Sequence, residues 1–119
     1  MNTRKTVETT YGTIDADMLA MLQQSFVTSE LLSAVNTIET GEGRQKWLRS
    51  NLLRLYAMTS HLIDGAPKTV TGKEPIWQLA EEIADELDAY STEISHITKL
   101  VDQLGRLRPN DDSMPGAPT

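Results

Sequence analysis

Apolar residues recur from Ile76 to Leu104 in a nearly unbroken 4-3 alternation: Ile76, Ala80, Ile83, Leu87, Tyr90, Ile94, Ile97, Val101 and Leu104. A repeat every 3.5 residues draws a stripe along one side of a helix, and other helices must cover it. The pattern predicts one long helix. With Ala80, Leu87, Ile94 and Val101 at position a, and Ile83, Tyr90, Ile97 and Leu104 at d, the e positions carry Trp77, Ala84, Ser91 and Thr98. Small e residues admit a close neighbour, and Leu79 and Leu100 widen the stripe. Both features favour a bundle over an isolated two-stranded coil.

Upstream, two shorter segments carry helical periodicity. The first runs from about residue 15 to 39, with Thr13 or Asp15 as its cap and Asp15 and Asp17 near the positive end of its dipole. Its early stripe is Leu19, Leu22 and Phe26; its later stripe is Val27, Leu31, Ala34, Val35 and Ile38. The two are out of phase near Val27-Thr28-Ser29. This predicts one helix whose buried face changes partner, with a kink at Thr28-Ser29 as the alternative. Thr40-Gly41-Glu42-Gly43 reads as a turn. A second helix then spans about 43 to 63 with Leu48, Leu52, Leu55, Thr59 and Leu62 on one face, widened by Trp47, Tyr56, Met58 and Ile63, and Asp64-Gly65-Ala66-Pro67 ends it. Lys68 to Glu74 reads as a loop, and Pro75 suits the first turn of the third helix.

The expected fold is therefore all-α: an antiparallel three-helix bundle, up-down-up, with a long heptad-patterned third helix and disordered termini. Residues 1–12, Thr-rich and polar, read as a flexible arm or at most a short extended segment from Thr6 to Tyr11. Residues 13–107 form a single helical-bundle domain, and 108–119 have the composition of a disordered tail.

Composition sharpens this picture. The aromatics are two Trp, three Tyr and one Phe, so the core is aliphatic, as suits interdigitating helices. No Cys is present, which removes disulfides, thiolate chemistry and Cys-ligated metals. Eleven Lys and Arg stand against 17 Asp and Glu, a net charge of −6, and this balance disfavours nucleic acid as a direct partner. No apolar run approaches the roughly 20 residues of a membrane span. Met1-Asn2-Thr3-Arg4-Lys5 lacks the apolar stretch of a secretory signal. These features predict a cytoplasmic protein.

Three groups are candidates for chemistry. The first is His61. Ser60-His61-Leu62-Ile63-Asp64-Gly65 resembles the phosphoacceptor segment of histidine phosphotransfer domains, which are small acidic helical bundles. Gly65 matches the small residue four positions after the family's His, and the resemblance implies a phosphoacceptor role for His61. Asp64 stands where that family has Lys, a carboxylate in place of a cation, and Pro67 ends the helix where the family's helix continues. The second is Glu93-x-x-His96, the spacing used in di-iron bundles. One pair without carboxylates on the second helix builds no such site, so no metal or cofactor is expected. The third is the basic patch Arg44, Lys46, Arg49 and Arg54, which would serve phosphate contacts if free. The alternative is that it lies against the acidic face of the third helix, Glu81, Glu82, Asp85 and Glu86. No nucleophile motif or phosphate-cradling loop is present, so no catalytic residues are expected.

Met18, Met21, Leu32 and Val35 put apolar residues on more than one face of the first helix, and self-association as a homodimer would cover what three helices leave exposed. The function expected is that of a small non-enzymatic bacterial, phage or plasmid accessory or regulatory factor. Its partners would be itself and a further protein, with no membrane. Phosphotransfer through His61 is the alternative, and nucleic-acid binding through the basic patch is the third reading.

Overall fold

The computed structural model describes residues 5–38, 43–68, 74–88 and 95–109. The chain is mostly helical, and the described residues form five helices and one small two-stranded sheet. Strands β1 (Thr6–Thr9) and β2 (Gly12–Asp15) pair antiparallel, Thr6 opposite Asp15 and Thr9 opposite Gly12. Thr and Val suit the pleated backbone. Gly12, at φ +100°, supplies the conformation that a side chain would strain. The Thr9 hydroxyl donates to Gly12 O at 2.7 Å and accepts from Tyr11 N–H at 3.0 Å.

Over residues 6–12 the extended segment given as the alternative to a flexible arm is what forms, and it is longer and paired, continuing into β2. A two-stranded ribbon is marginal alone, and here it is tied to the helices. Asp15 N–H donates to Leu107 O at 2.8 Å, and Ile76 N–H donates to Tyr11 O at 2.9 Å. Tyr11 and Ile14 are fully buried.

Helix α1 (Ala16–Ser25) begins at Asp15, whose Oδ1 accepts from Met18 N–H at 2.9 Å. It stops at Phe26 and Val27, both extended, and α2 (Thr28–Thr37) follows. The first helical segment is therefore two helices, broken just before the expected kink. The physical cause is the phase slip between the stripes. Two extended residues let Phe26 bury on the first stripe and Leu31, Ala34 and Val35 on the second, whereas Val27, expected on the second stripe, is turned into solvent by its extended backbone.

Helix α3 (Arg44–Thr59) buries Leu48, Leu52, Leu55, Met58 and Thr59. Its last turn, Ser60–Asp64, widens to a π-turn, and Gly65 closes it in the left-handed conformation at φ +77°. Gln23 of α1 donates to Leu62 O at 3.1 Å, and the Thr28 hydroxyl at the start of α2 donates to the Asp64 carboxylate. Both contacts hold this turn against the first two helices.

Helices α4 (Ile76–Asp88) and α5 (Ser95–Gly105) share what the heptad pattern placed on one rod. A continuous helix would separate residues 81 and 105 by about 36 Å. Instead a Cβ at Gly105 would lie 3.7 Å from Glu81 Cγ, and Arg108 reaches Glu81 at 3.5 Å. The seam doubles back, so the long third helix and the three-helix bundle built on it give way to five helices. The same stripe is satisfied in a different way, each arm covering the other. Helix α3 packs between α2 and α4, and α5 lies against α4 with contacts to α2. Arg108, placed by sequence in the tail, sits over the Trp77 ring at 5.3 Å. Residues 110–119 of the expected tail, and residues 1–4 of the arm, lie outside the described residues.

Candidate functional site

The seam residues come first because they position everything else. Ala80, Ile83 and Leu87 on α4 and Ile97, Val101 and Leu104 on α5 are buried to 1% exposure or less. Tyr90 and Ile94 lie outside the described residues. The inner faces of α4 and α5 are therefore consumed by packing, and any exposed function falls to their outer flanks or to α3.

The basic patch does not form one free cluster. Arg54 grips Glu74 through two hydrogen bonds, 2.8 and 3.2 Å, in a half-buried fork. These bonds raise the Arg54 pKa above its already high value, outweighing the opposing effect of desolvation. Arg44 Nε lies 3.1 Å from Glu86 Oε2, an ion pair whose N–H does not align with the oxygen. Lys46 is exposed, and Arg49 is half-buried with its Nε unpartnered among the described residues. Helices α3 and α4 thus meet partly through opposite charge. Of the acidic face, Glu86 takes Arg44, Glu81 takes Arg108, and Glu82 accepts from Gln78 at 3.4 Å.

His61 sits in the π-turn, half-buried. The Tyr11 ring meets its imidazole edge-on, centroids 5.5 Å apart. Its Nδ1 and the neighbouring Ser60 Oγ are buried without a hydrogen-bond partner among the described residues. Burial pushes the Tyr11 phenol above its usual value of 10.0. Asp64, in the position where phosphotransfer domains carry a cation, bonds to Thr28. Glu93 and the side chain of His96 lie outside the described residues. Among the described residues, no group of three or more His, Asp or Glu is placed to hold a metal ion, and no helix is long and apolar enough to cross a membrane.

Two exposed features stand outside the candidates for chemistry, and one of them corrects an expectation: Trp47, expected to widen the buried face of the second helix, is exposed. On α3, Trp47 and Leu53 are 40% and 45% exposed; six residues apart, they stand about 120° apart around the helix, on either side of Lys46 and Ser50. Along the outer flanks of α4 and α5 runs an open groove of about 400 Å³. Its floor is Ala80, Ala84, Val101 and Gly105. Its walls are Glu81, Asp85 and Asp88 from α4, and Asp102 and Arg106 from α5. The Ala80/Ala84 spacing and Gly105 were visible as small residues. Only the reversal of the chain brings them to one groove.

Comparison with curated proteins and with solved structures gave no match. A family model described as transposon-encoded protein TnpC-like matches residues 9–109, from the end of β1 through α5. The match takes in the hairpin turn, the broken first segment, the basic α3 and the folded-back α4–α5 pair, and the chain accordingly belongs to the TnpC-like family of transposon-encoded proteins.

Proposed function

We propose that this chain is a small transposon-associated regulatory protein that acts in the cytoplasm through protein contacts, not catalysis, and that it self-associates as a homodimer. The family supports the transposon-associated regulatory role. The observation that carries the contact reading is the pair of large apolar side chains, Trp47 and Leu53, left half in water on the outer face of α3. Aromatic and aliphatic anchors flanked by charge are what protein interfaces use. The engagement of Arg44 and Arg54 by carboxylates of the same chain favours this reading over phosphate binding.

Light scattering on size-separated protein tests it. The wild-type chain should run at twice its chain mass, and Trp47→Lys with Leu53→Lys should run at the single mass with unchanged helical circular dichroism. A single-chain mass for the wild type across the micromolar range refutes the self-association, and an unchanged dimer in the double variant refutes α3 as its site.

A further inference from the structure

The groove between α4 and α5 is not a flaw in the core. Ala80 and Val101, which close its floor, are themselves fully buried, so the seam beneath is complete. What lies above is a shallow trough bordered by four carboxylates and one guanidinium. Asp85, Asp88 and Asp102 are exposed, on two facing helices. Like charges held across a trough repel, and a cation laid between them relieves that repulsion. The molecule already contains one such case, since the Arg108 guanidinium approaches Glu81 while its face covers Trp77. The part of the floor that solvent reaches is Ala84 and Gly105, small residues that let an incoming backbone come close without meeting long side chains.

We propose that this groove docks a cationic amphipathic helix of a protein partner. Alanine- or leucine-sized side chains would lie on the floor, and Lys or Arg at i and i+4 would reach the carboxylates of both walls. Charge complementarity selects this occupant. An anionic or uncharged helix would leave the facing carboxylates uncompensated, and a phosphate backbone would be repelled. The inference rests on the reading that the protein works through protein contacts, and it adds a second surface, separate from the α3 face assigned to self-association.

The probe is a fluorescent synthetic helix with an Ala/Leu stripe bordered by Lys at i, i+4 spacing, titrated with the full-length chain and followed by anisotropy. Gly105→Leu fills the groove. A Cβ there meets only Glu81 Cγ, at ordinary contact distance, so the first atom of the new side chain is accommodated. Asp85→Lys with Asp102→Lys reverses the walls at exposed positions and carries the test even if Gly105→Leu fails to fold. Asp17→Lys with Glu30→Lys makes the same change in net charge on exposed parts of α1 and α2. The probe should bind the wild type, lose at least tenfold in affinity with either groove variant, and stay within twofold with the α1/α2 variant. Equal losses in both double variants would reduce the effect to net charge and overturn the site. Wild-type affinity in folded Gly105→Leu, or no binding of the probe at all, would overturn it as well. Light scattering on the same samples separates the two readings: loss of the groove leaves a dimer formed through α3 intact, whereas failure of the α3 dimer leaves probe binding unchanged.

Discussion

The β1–β2 hairpin and the α4–α5 pair are attached to the same body by different forces. The hairpin buries only Tyr11 and Ile14 and is otherwise held at a few points by directed bonds: Asp15 N–H to Leu107 O, Ile76 N–H to Tyr11 O, and the Trp77 indole N–H to Thr13 O at 3.0 Å. The α4–α5 pair is held along its length by buried aliphatic area, with ion pairs only at its margins. Directed bonds depend on position to within tenths of an ångström. Area depends on volume and polarity and is indifferent to which methyl touches which. The two regions should therefore fail to different insults.

A buried charge is the largest insult to the apolar pair. Ile83, fully buried in the middle of α4, replaced by Asp places an unpaired carboxylate in the seam. The cost of an uncompensated buried charge, about 3–5 kcal/mol, is comparable with the whole stability of a domain this size. Cooperative thermal unfolding followed by circular dichroism should disappear. A melting curve close to wild type would show that α4 does not depend on this seam.

The hairpin should yield to a far smaller chemical change. Gly12→Ala adds one methyl, but at φ +100° and with a Cβ that would stand 2.7 Å from Pro75 Cβ. Backbone strain and displacement of the Pro75 turn together should cost about 2–3 kcal/mol. The urea midpoint should fall with an unchanged slope. Gly105→Ala in the α4–α5 pair, where the added Cβ meets only an ordinary contact, should be near neutral. If the two alanines cost the same, the contrast between the regions is wrong.

The directed bond from Trp77 offers a finer cut. Trp77→Phe keeps an aromatic ring under Arg108 but removes the indole N–H that Thr13 O accepts. Leaving that half-buried carbonyl unpaired should cost about 1–2 kcal/mol. Amide hydrogen exchange should rise in β2 before it rises in α4. Uniform acceleration across both would mean that the hairpin does not open on its own.

The same contrast explains what the sequence disclosed. Buried area leaves a signature in residue type, so Ile76, Ile83, Leu87, Val101 and Leu104 were legible as core from their spacing. Where that stripe turns back was not, because both arms of an antiparallel helix pair carry the same heptad phase. Neither Gly nor Pro marks the span between Asp88 and Ser95. The hairpin was legible only as a short extended segment from Thr6 to Tyr11, since most of its anchors are main-chain groups, which all residues but proline carry. The break in the first helical segment was legible in part. The phase slip located it, but two residues in extended conformation look like any other two. The groove needed both the small residues and the reversal, so its components were visible and their meeting was not. Pairing of the α3 cations was anticipated in kind, but Glu74, ahead of α4, was missed as the partner of Arg54.

Tyr11 gives the smallest and most selective test, because it belongs to the hairpin's turn and packs on the π-turn that ends α3. Burial raises its phenol above 10.0 in the folded chain, whereas the unfolded chain ionises at the ordinary value. Below pH 10 both states hold the proton and the contribution to stability is fully present. As pH rises through the folded value, the unfolded state has already released its proton, the folded state must follow, and that contribution is lost. Stability measured by urea should therefore fall with a negative slope above about pH 10. Tyr11→Phe should flatten the slope without moving it elsewhere. Comparing slopes instead of absolute stabilities removes any constant difference between phenol and phenyl rings. An equally steep alkaline fall in Tyr11→Phe would mean that the titration does not belong to Tyr11, and that the hairpin's turn is no more enclosed than the flanks of the α4–α5 pair.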